Sequence, residues 1–294
     1  MLDTRELSWS YTRHKLFSFC ERKYYYHYFG SQNGWLEFDS TAKQEKIFKL
    51  KKALSLENWV KNIFTSSLQH AFITSRPTSK KDFCLKFRAC VFRKFQSDKY
   101  RVMANSIISE PLIIKEIFLG KISLKESIDY AERKTNFLAA QLVASDIPDL
   151  LFSVPAQAKK TQSKPVFFQL DNIKVWNAPL IAWYINGKLY TLNLKIDNTR
   201  NSDWALLAAI NTLYWHKTLN LTYDMIECIT VFLEHKNIFA VYAKRHPQEV
   251  VNIIKDSGKR ISSRTTHQNK SFEKNYVKTK SANCSECVFN AVCT

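Results

Sequence analysis

The sequence predicts an α/β fold, with a helical first half and a mixed sheet flanked by helices. Three observations carry this. Only 5 glycines and 7 prolines punctuate 294 residues, so helix breakers are scarce. Up to about residue 150, apolar side chains recur every three or four positions. Beyond about residue 165, runs rich in β-branched and aromatic residues alternate with turn signals, and helical patterns return between them.

The elements follow in order. "SWSYTRHKLFSFCERKYYYHYFG" reads as one helix capped by Ser10 and stopped by Gly30, with Phe17, Cys20 and Tyr24 on one face. "SLENWVKNIFTSSLQHAF" has Ser55 as its cap and Trp59, Val60, Ile63, Phe64 and Leu68 as an apolar stripe. "KKDFCLKFRACVFRKFQSDKY" is amphipathic with a basic face. "SLKESIDYAERKTNFLAAQLV" opens with Ser123 and Glu126 at capping-box spacing. "PVFFQLDNIKVW" and "LIAWYINGKLYTLNLKI" are strand pairs turning at Asp171-Asn172 and Asn186-Gly187. "DWALLAAINTLYWHKTL" is a helix. "MIECITVFLE" and "IFAVYAKR" are strands, and "PQEVVNIIKD" is a helix with Pro247 near its start. The remaining stretch, "SGKRISSRTTHQNKSFEKNYVKTK", has few apolar anchors and is expected to be a mobile basic linker. No internal repeat is visible.

Lys and Arg total 44 against 26 acids, a formal charge of +18. Such a surplus attracts polyanions, of which nucleic acid is the commonest. There is no apolar run of 18 residues, so no membrane contact is expected. The charged N-terminal stretch does not read as a signal peptide, and the expected location is cytoplasmic. Seven cysteines in that reducing setting point to a metal more than to disulfides.

The closing "CSECVFNAVC" holds Cys284, Cys287 and Cys293, and three soft ligands need a fourth. Cys84, Cys90 and Cys228 lie in ordinary helix and strand patterns, where a thiol behaves as a small hydrophobe. Cys20 stands among distinctive neighbours. Spacing alone leaves zinc and an iron–sulfur cluster both open.

The stretch "SWSYTRHKLFSFCERKYYYHYFGSQNGW" resembles the start of RecB-like PD-(D/E)XK nucleases that carry an iron–sulfur cluster. That group includes the CRISPR-adaptation exonuclease and the nuclease domain of AddB-type helicase–nuclease subunits. The resemblance extends through "LENWV", "LDNIKVW" and "LNLKID" to the tail. It implies a PD-(D/E)XK nuclease-like mixed central sheet flanked by helices over residues 1–256. Within that span, 1–150 form a helical part and about 165–256 an α/β core. A basic linker would cover 257–280 and a cysteine segment 281–294. It also implies that Cys20, Cys284, Cys287 and Cys293 hold a [4Fe–4S] cluster, with zinc as the alternative.

In such nucleases two carboxylates hold a divalent cation that activates water, and a lysine adds positive charge. The second carboxylate and the lysine sit two apart on a strand, hence on one face. Here Lys195 takes the lysine position, but Asn193 stands two residues before it. Leu180 stands where the first Asp belongs. Lys61 and Thr65 stand around the usual helical His, and Leu207 and Asn211 replace the Q-x-x-x-Y pair of the following helix. Asn is a weak cation ligand and Leu is none, so no catalytic Mg²⁺ is expected. Asp171 and Asp197 are candidates for relocated carboxylates, although a turn and a strand end explain them more simply. His70 lies five residues from the lost histidine and off its helical face. No glycine-rich phosphate loop is present.

The expectation is therefore a catalytically inactive nuclease homologue that binds DNA, beside other protein subunits such as a helicase or nuclease of a prokaryotic DNA-processing or defence complex. Lys80, Lys81, Arg88, Arg93 and Lys94, the tail cations Lys259, Arg260 and Arg264, and Lys195 are the candidate phosphate contacts. An active enzyme with displaced ligands and a structural subunit meeting an acidic protein are the alternatives. Tyr24, Phe83 and Phe87 are expected in the core rather than on bases.

Overall fold

The computed structural model describes residues 7–31, 41–74, 77–104, 112–160, 166–177, 181–195, 203–233, 238–242, 247–264, 276–277, 284 and 287–293. The helices are α1 Tyr11–Phe19, α2 Glu21–Tyr28, α3 Ala42–Lys52, α4 Leu56–Thr74, α5 Lys80–Met103, α6 Lys115–Phe118, α7 Leu124–Ala144, α8 Ile147–Phe152, α9 Asp203–Leu219 and α10 Pro247–Arg264. The strands are β1 Leu7–Ser10, β2 Lys159–Lys160, β3 Val166–Leu170, β4 Ile173–Asn177, β5 Ile181–Ile185, β6 Lys188–Lys195, β7 Ile226–Leu233 and β8 Ile238–Tyr242. The α/β class holds. Among the described residues no helix is long and apolar enough to cross a membrane.

The chain divides into two compact units. The first comprises Met1–Ala53, Phe167–Trp176 and Val251–Thr294, and the second comprises Leu54–Val166 and Asn177–Val250.

In the first unit, Ser10 caps α1 by accepting from the Arg13 amide. The expected single helix is broken at Cys20, which is extended (φ −167°, ψ 117°) and begins α2 afresh. The cause is distant in sequence. The Arg22 amide donates to the Val277 carbonyl at 3.2 Å, and Glu21 Oε2 accepts from the Val277 amide at 3.3 Å. A neighbouring backbone thus takes a donor that a continuous helix would satisfy internally. Tyr24, Tyr25 and Tyr26 are all buried. The Tyr25 ring lies 5.0 Å from Tyr276 and the Tyr26 ring 5.4 Å from Phe289.

β1 was not legible as a strand. It pairs in parallel with β4, and the order β1-β4-β3 makes a separate three-stranded sheet. The single mixed sheet expected from the sequence is therefore two sheets. Asp171 adopts φ 51° at the β3–β4 turn, as the turn signal requires.

α10 also departs from expectation, because it continues to Arg264 through the first third of what read as linker. Ile254 and Ile261 are buried on one face. Between them the Trp9 indole N–H donates to Ser257 Oγ at 2.5 Å. At Gly258, a side chain would come within 3.1 Å of both Ile173 and Leu7. Lys259, Arg260 and Arg264 thus lie on a helix. Tyr276, in the same expected linker, is fully buried. The rest of that stretch, 265–275 and 278–280, lies outside the described residues.

In the second unit, the Ser55 hydroxyl accepts from the Asn58 amide at the start of α4, and Ser123 with Glu126 completes the capping box of α7. The predicted stripe of α4 is fully buried, as are Phe83 and Phe87 of α5. α4 and α5 pack side by side through Trp59 on Phe95 and Phe64 on Phe87. A five-stranded sheet of order β2-β5-β6-β7-β8 completes the unit. Asn186 (φ 50°) and Gly187 (φ 76°) form the turn between β5 and β6, and α9 carries the chain to β7, parallel to β6. One apolar cluster runs from Trp59 and Phe64 through Leu138 and Leu142 to Trp183, Leu192 and Val231.

Candidate functional site

β6 brings Asn193 to the interior. In the parallel register Asn193 faces Thr230, and Lys195 faces Phe232. A period of two places Asn193 and Lys195 on one side of β6, although the Lys195 side chain lies outside the described residues. α9 packs over this strand pair and presents Asn211. Three buried amides then form a chain. Asn177 Nδ2 donates to Asn211 Oδ1 at 2.7 Å, and Asn211 Nδ2 donates to Asn193 Oδ1 at 2.6 Å. All three residues are buried. Asn193 Nδ2 and Thr230 Oγ1 are buried without a hydrogen-bond partner among the described residues.

This chain is neutral throughout. The one oxygen that Asn193 could turn to a cation already accepts a hydrogen bond. Asn177, at the end of β4, was not singled out from the sequence. Its only signal there is a polar residue ending an alternating strand just before Ala178-Pro179.

The other expected site residues are placed as follows. Thr65 donates its hydroxyl back to the Lys61 carbonyl at 2.8 Å within α4. Asp171, exposed and in the first unit, holds the β3–β4 turn and pairs with Lys255 at 2.7 Å. Leu180 and Asp197 lie outside the described residues.

The candidate phosphate contacts fall into two groups. Lys80 pairs with Asp149 at 2.5 Å, Lys94 with Asp98 at 2.6 Å and Arg264 with Glu21 at 3.3 Å. Arg260 lies over the Phe17 ring at 5.7 Å. Lys81, Arg88, Arg93 and Lys259 are exposed, with no carboxylate partner among the described residues. The first three ride on α5, a helix about 36 Å long by its 24 residues.

The four cysteines expected to hold a metal are all described and half-buried, and all belong to the first unit. The backbone turns from Cys284 to Cys287, and again from Cys287 to Asn290. The Tyr26 hydroxyl donates to the Val292 carbonyl at 2.9 Å, tethering this segment to α2, the helix that Cys20 precedes. As placed, no three Cys, His, Asp or Glu side chains among the described residues form a group that could hold a metal ion. Cys84, Cys90 and Cys228 are buried. Burial pushes the Cys228 thiol up to about 12, against hydrogen bonding to Thr212, so it is an inert core thiol.

No family model matches the chain, and no curated protein sequence matches it. Among solved structures, the chain is similar to a protein from Eubacterium rectale designated "Putative exonuclease", at 12% identity and a TM-score of 0.49, over 97% of this chain and 90% of that one. It is also similar to the protein SSO0001, at 13% identity and a TM-score of 0.31, over 69% of this chain and 96% of that one.

Proposed function

We propose that this chain is a nuclease-like protein that binds DNA through its phosphates without cutting it, and that it serves as a subunit beside a helicase or nuclease. The observation that carries the reading is the asparagine chain Asn177–Asn211–Asn193. A hydrolytic cation needs anionic oxygens to replace its water shell. At the strand position two before Lys195 it meets a neutral amide whose oxygen is already engaged.

DNA contact is supported by the +18 charge and by Lys81, Arg88, Arg93 and Lys259, exposed cations with no described carboxylate to neutralise them. Such contacts neutralise phosphates and release counterions, so they carry affinity with little sequence preference.

A [4Fe–4S] cluster on Cys20, Cys284, Cys287 and Cys293 belongs to the same proposal. It rests on the C-x2-C-x5-C spacing, on the resemblance around Cys20, and on the shared unit and the Tyr26 tether. The cluster would hold the two ends of the first unit together and supplies no step of catalysis here.

The test joins binding to cleavage. DNA affinity is expected to fall steeply with salt, with a log–log slope of several units. No cleavage is expected with Mg²⁺ or Mn²⁺ on single strands, duplexes or forks. Mn²⁺-dependent cutting that Asp171→Ala or Asp197→Ala abolishes would replace this reading with that of a relocated active site. Absence of DNA binding at low salt would replace it with that of a structural subunit.

A further inference from the structure

Between α4 and α5 lies a groove of about 380 Å³ lined by Ser66, Ser67, His70, Cys90, Arg93 and Lys94. We propose that it binds a phosphate monoester; resting on the DNA reading above, it would then favour a phosphorylated nucleic-acid end over internal backbone.

The chemistry is concentrated by helical spacing. Ser66 and His70 are four apart on α4, and Cys90, Arg93 and Lys94 share one face of α5. Donors therefore converge from two helices. Ser67 is already committed, its hydroxyl donating to the Ile63 carbonyl at 2.7 Å. The Ser66 hydroxyl and the His70 ring have no partner among the described residues. Arg93 is held over the groove by its own helix, with Nε at 3.3 Å from the Ala89 carbonyl and Nη2 at 3.6 Å from Cys90 Sγ.

The charge balance favours an anion. Asp98 is the near acid, only 4% exposed, and both Lys94 at 2.6 Å and Arg101 at 3.8 Å engage it. Its charge is thus met twice over. Arg93 is left as a cation with no carboxylate partner among the described residues, in a concave site where charge-assisted bonds are strong.

The charge favours a terminal group. A phosphate monoester offers three free oxygens and close to two negative charges at neutral pH. A phosphodiester carries one charge and offers two free oxygens. The ligand class is therefore a terminal phosphate, whether on a nucleic-acid end or on a free mononucleotide.

The experiment compares 5′-phosphorylated, 3′-phosphorylated and fully hydroxyl-ended oligonucleotides of one sequence, with dAMP titrated separately by calorimetry. A phosphorylated end is expected to bind about tenfold tighter than its hydroxyl twin, as one charge-assisted contact set supplies. That ratio should fall to about one in Arg93→Ala, whatever happens to overall DNA affinity. Ser66→Trp, which fills the groove while keeping both cations, should abolish it as well. Equal affinity for both kinds of end with no dAMP binding would overturn the groove and leave the DNA reading standing. Binding of dAMP that Arg93→Ala removes, with no oligonucleotide bound, would support the groove and remove the DNA reading.

Discussion

Asn211 is the residue on which the interior of the candidate site depends, because it serves Asn177 and Asn193 at once. Asn211→Ala leaves Asn177 Nδ2 and Asn193 Oδ1 buried and unpaired. It should cost about 2–4 kcal/mol, read as a lower urea midpoint at unchanged m-value. A change within about 0.5 kcal/mol would show that water satisfies both groups. The face that Asn193 shares with Lys195 was legible, because a spacing of two along a strand fixes it. The part played by Asn177 was not, since its partner lies 34 residues away on another element. His27 carries a second prediction at this scale. Burial, then the charges of Lys51, Lys23 and Arg13, lower its pKa to about 4, whereas an unfolded imidazole titrates near ~6.5. Between these values the unfolded chain binds a proton that the folded chain refuses. Stability should therefore be intact above about pH 6.5 and decline toward pH 4, by on the order of 2 kcal/mol after allowance for partial exposure. His27→Gln should flatten that decline in acid titrations followed by circular dichroism. An unchanged profile would mean that His27 protonates freely in the fold.

At the scale of elements, local signals succeeded and distant partners misled. Ser10, Ser55 and Ser123 all cap the helices they were expected to cap, since a cap and its amide lie three residues apart. The break at Cys20 was invisible, because it depends on backbone at Val277. The extent of α10 was missed for a related reason. Its last turns carry only Ile261 as a large apolar anchor, and their other buried contacts are a serine and a glycine meeting β1 and β4. Ser257→Ala should strand the buried Trp9 N–H and cost about 1–2 kcal/mol, whereas a true linker would not respond at all. The turn at Asn186-Gly187 was legible because both residues need positive φ. Gly187→Ala places a Cβ at φ 76° and should cost about 1–2 kcal/mol in thermal or urea unfolding.

At the scale of the molecule, the net charge could be read at once, but the division into units could not, because the first unit is assembled from three separate stretches of chain. Each unit has its own interior: aromatic rings from α2 and the C-terminal segment in the first, and the long apolar cluster of α4, α5, α7 and the sheet in the second. This separation gives the cluster proposal its sharpest consequence. A centre joining Cys20 to Cys284, more than 260 residues apart, limits how far the two ends of the first unit can part. By loop-closure entropy, a covalent link over such a span is worth about 5–6 kcal/mol against full unfolding, and a bound metal adds its binding free energy to folding. None of this acts on an opening confined to the second unit, which contains no ligand. Chelation, or Cys20→Ser, should therefore lower amide protection in α2 and at Tyr276 and Phe289. Protection in α4, α5 and α7 should be unchanged under native-state hydrogen exchange. The metal-loaded protein should be brown and carry about four irons per chain. Zinc in place of iron, with the same pattern of lost protection, would keep the ligands and change the metal. A uniform loss across both units, or none in α2, would mean that Cys20 does not share a centre with the tail.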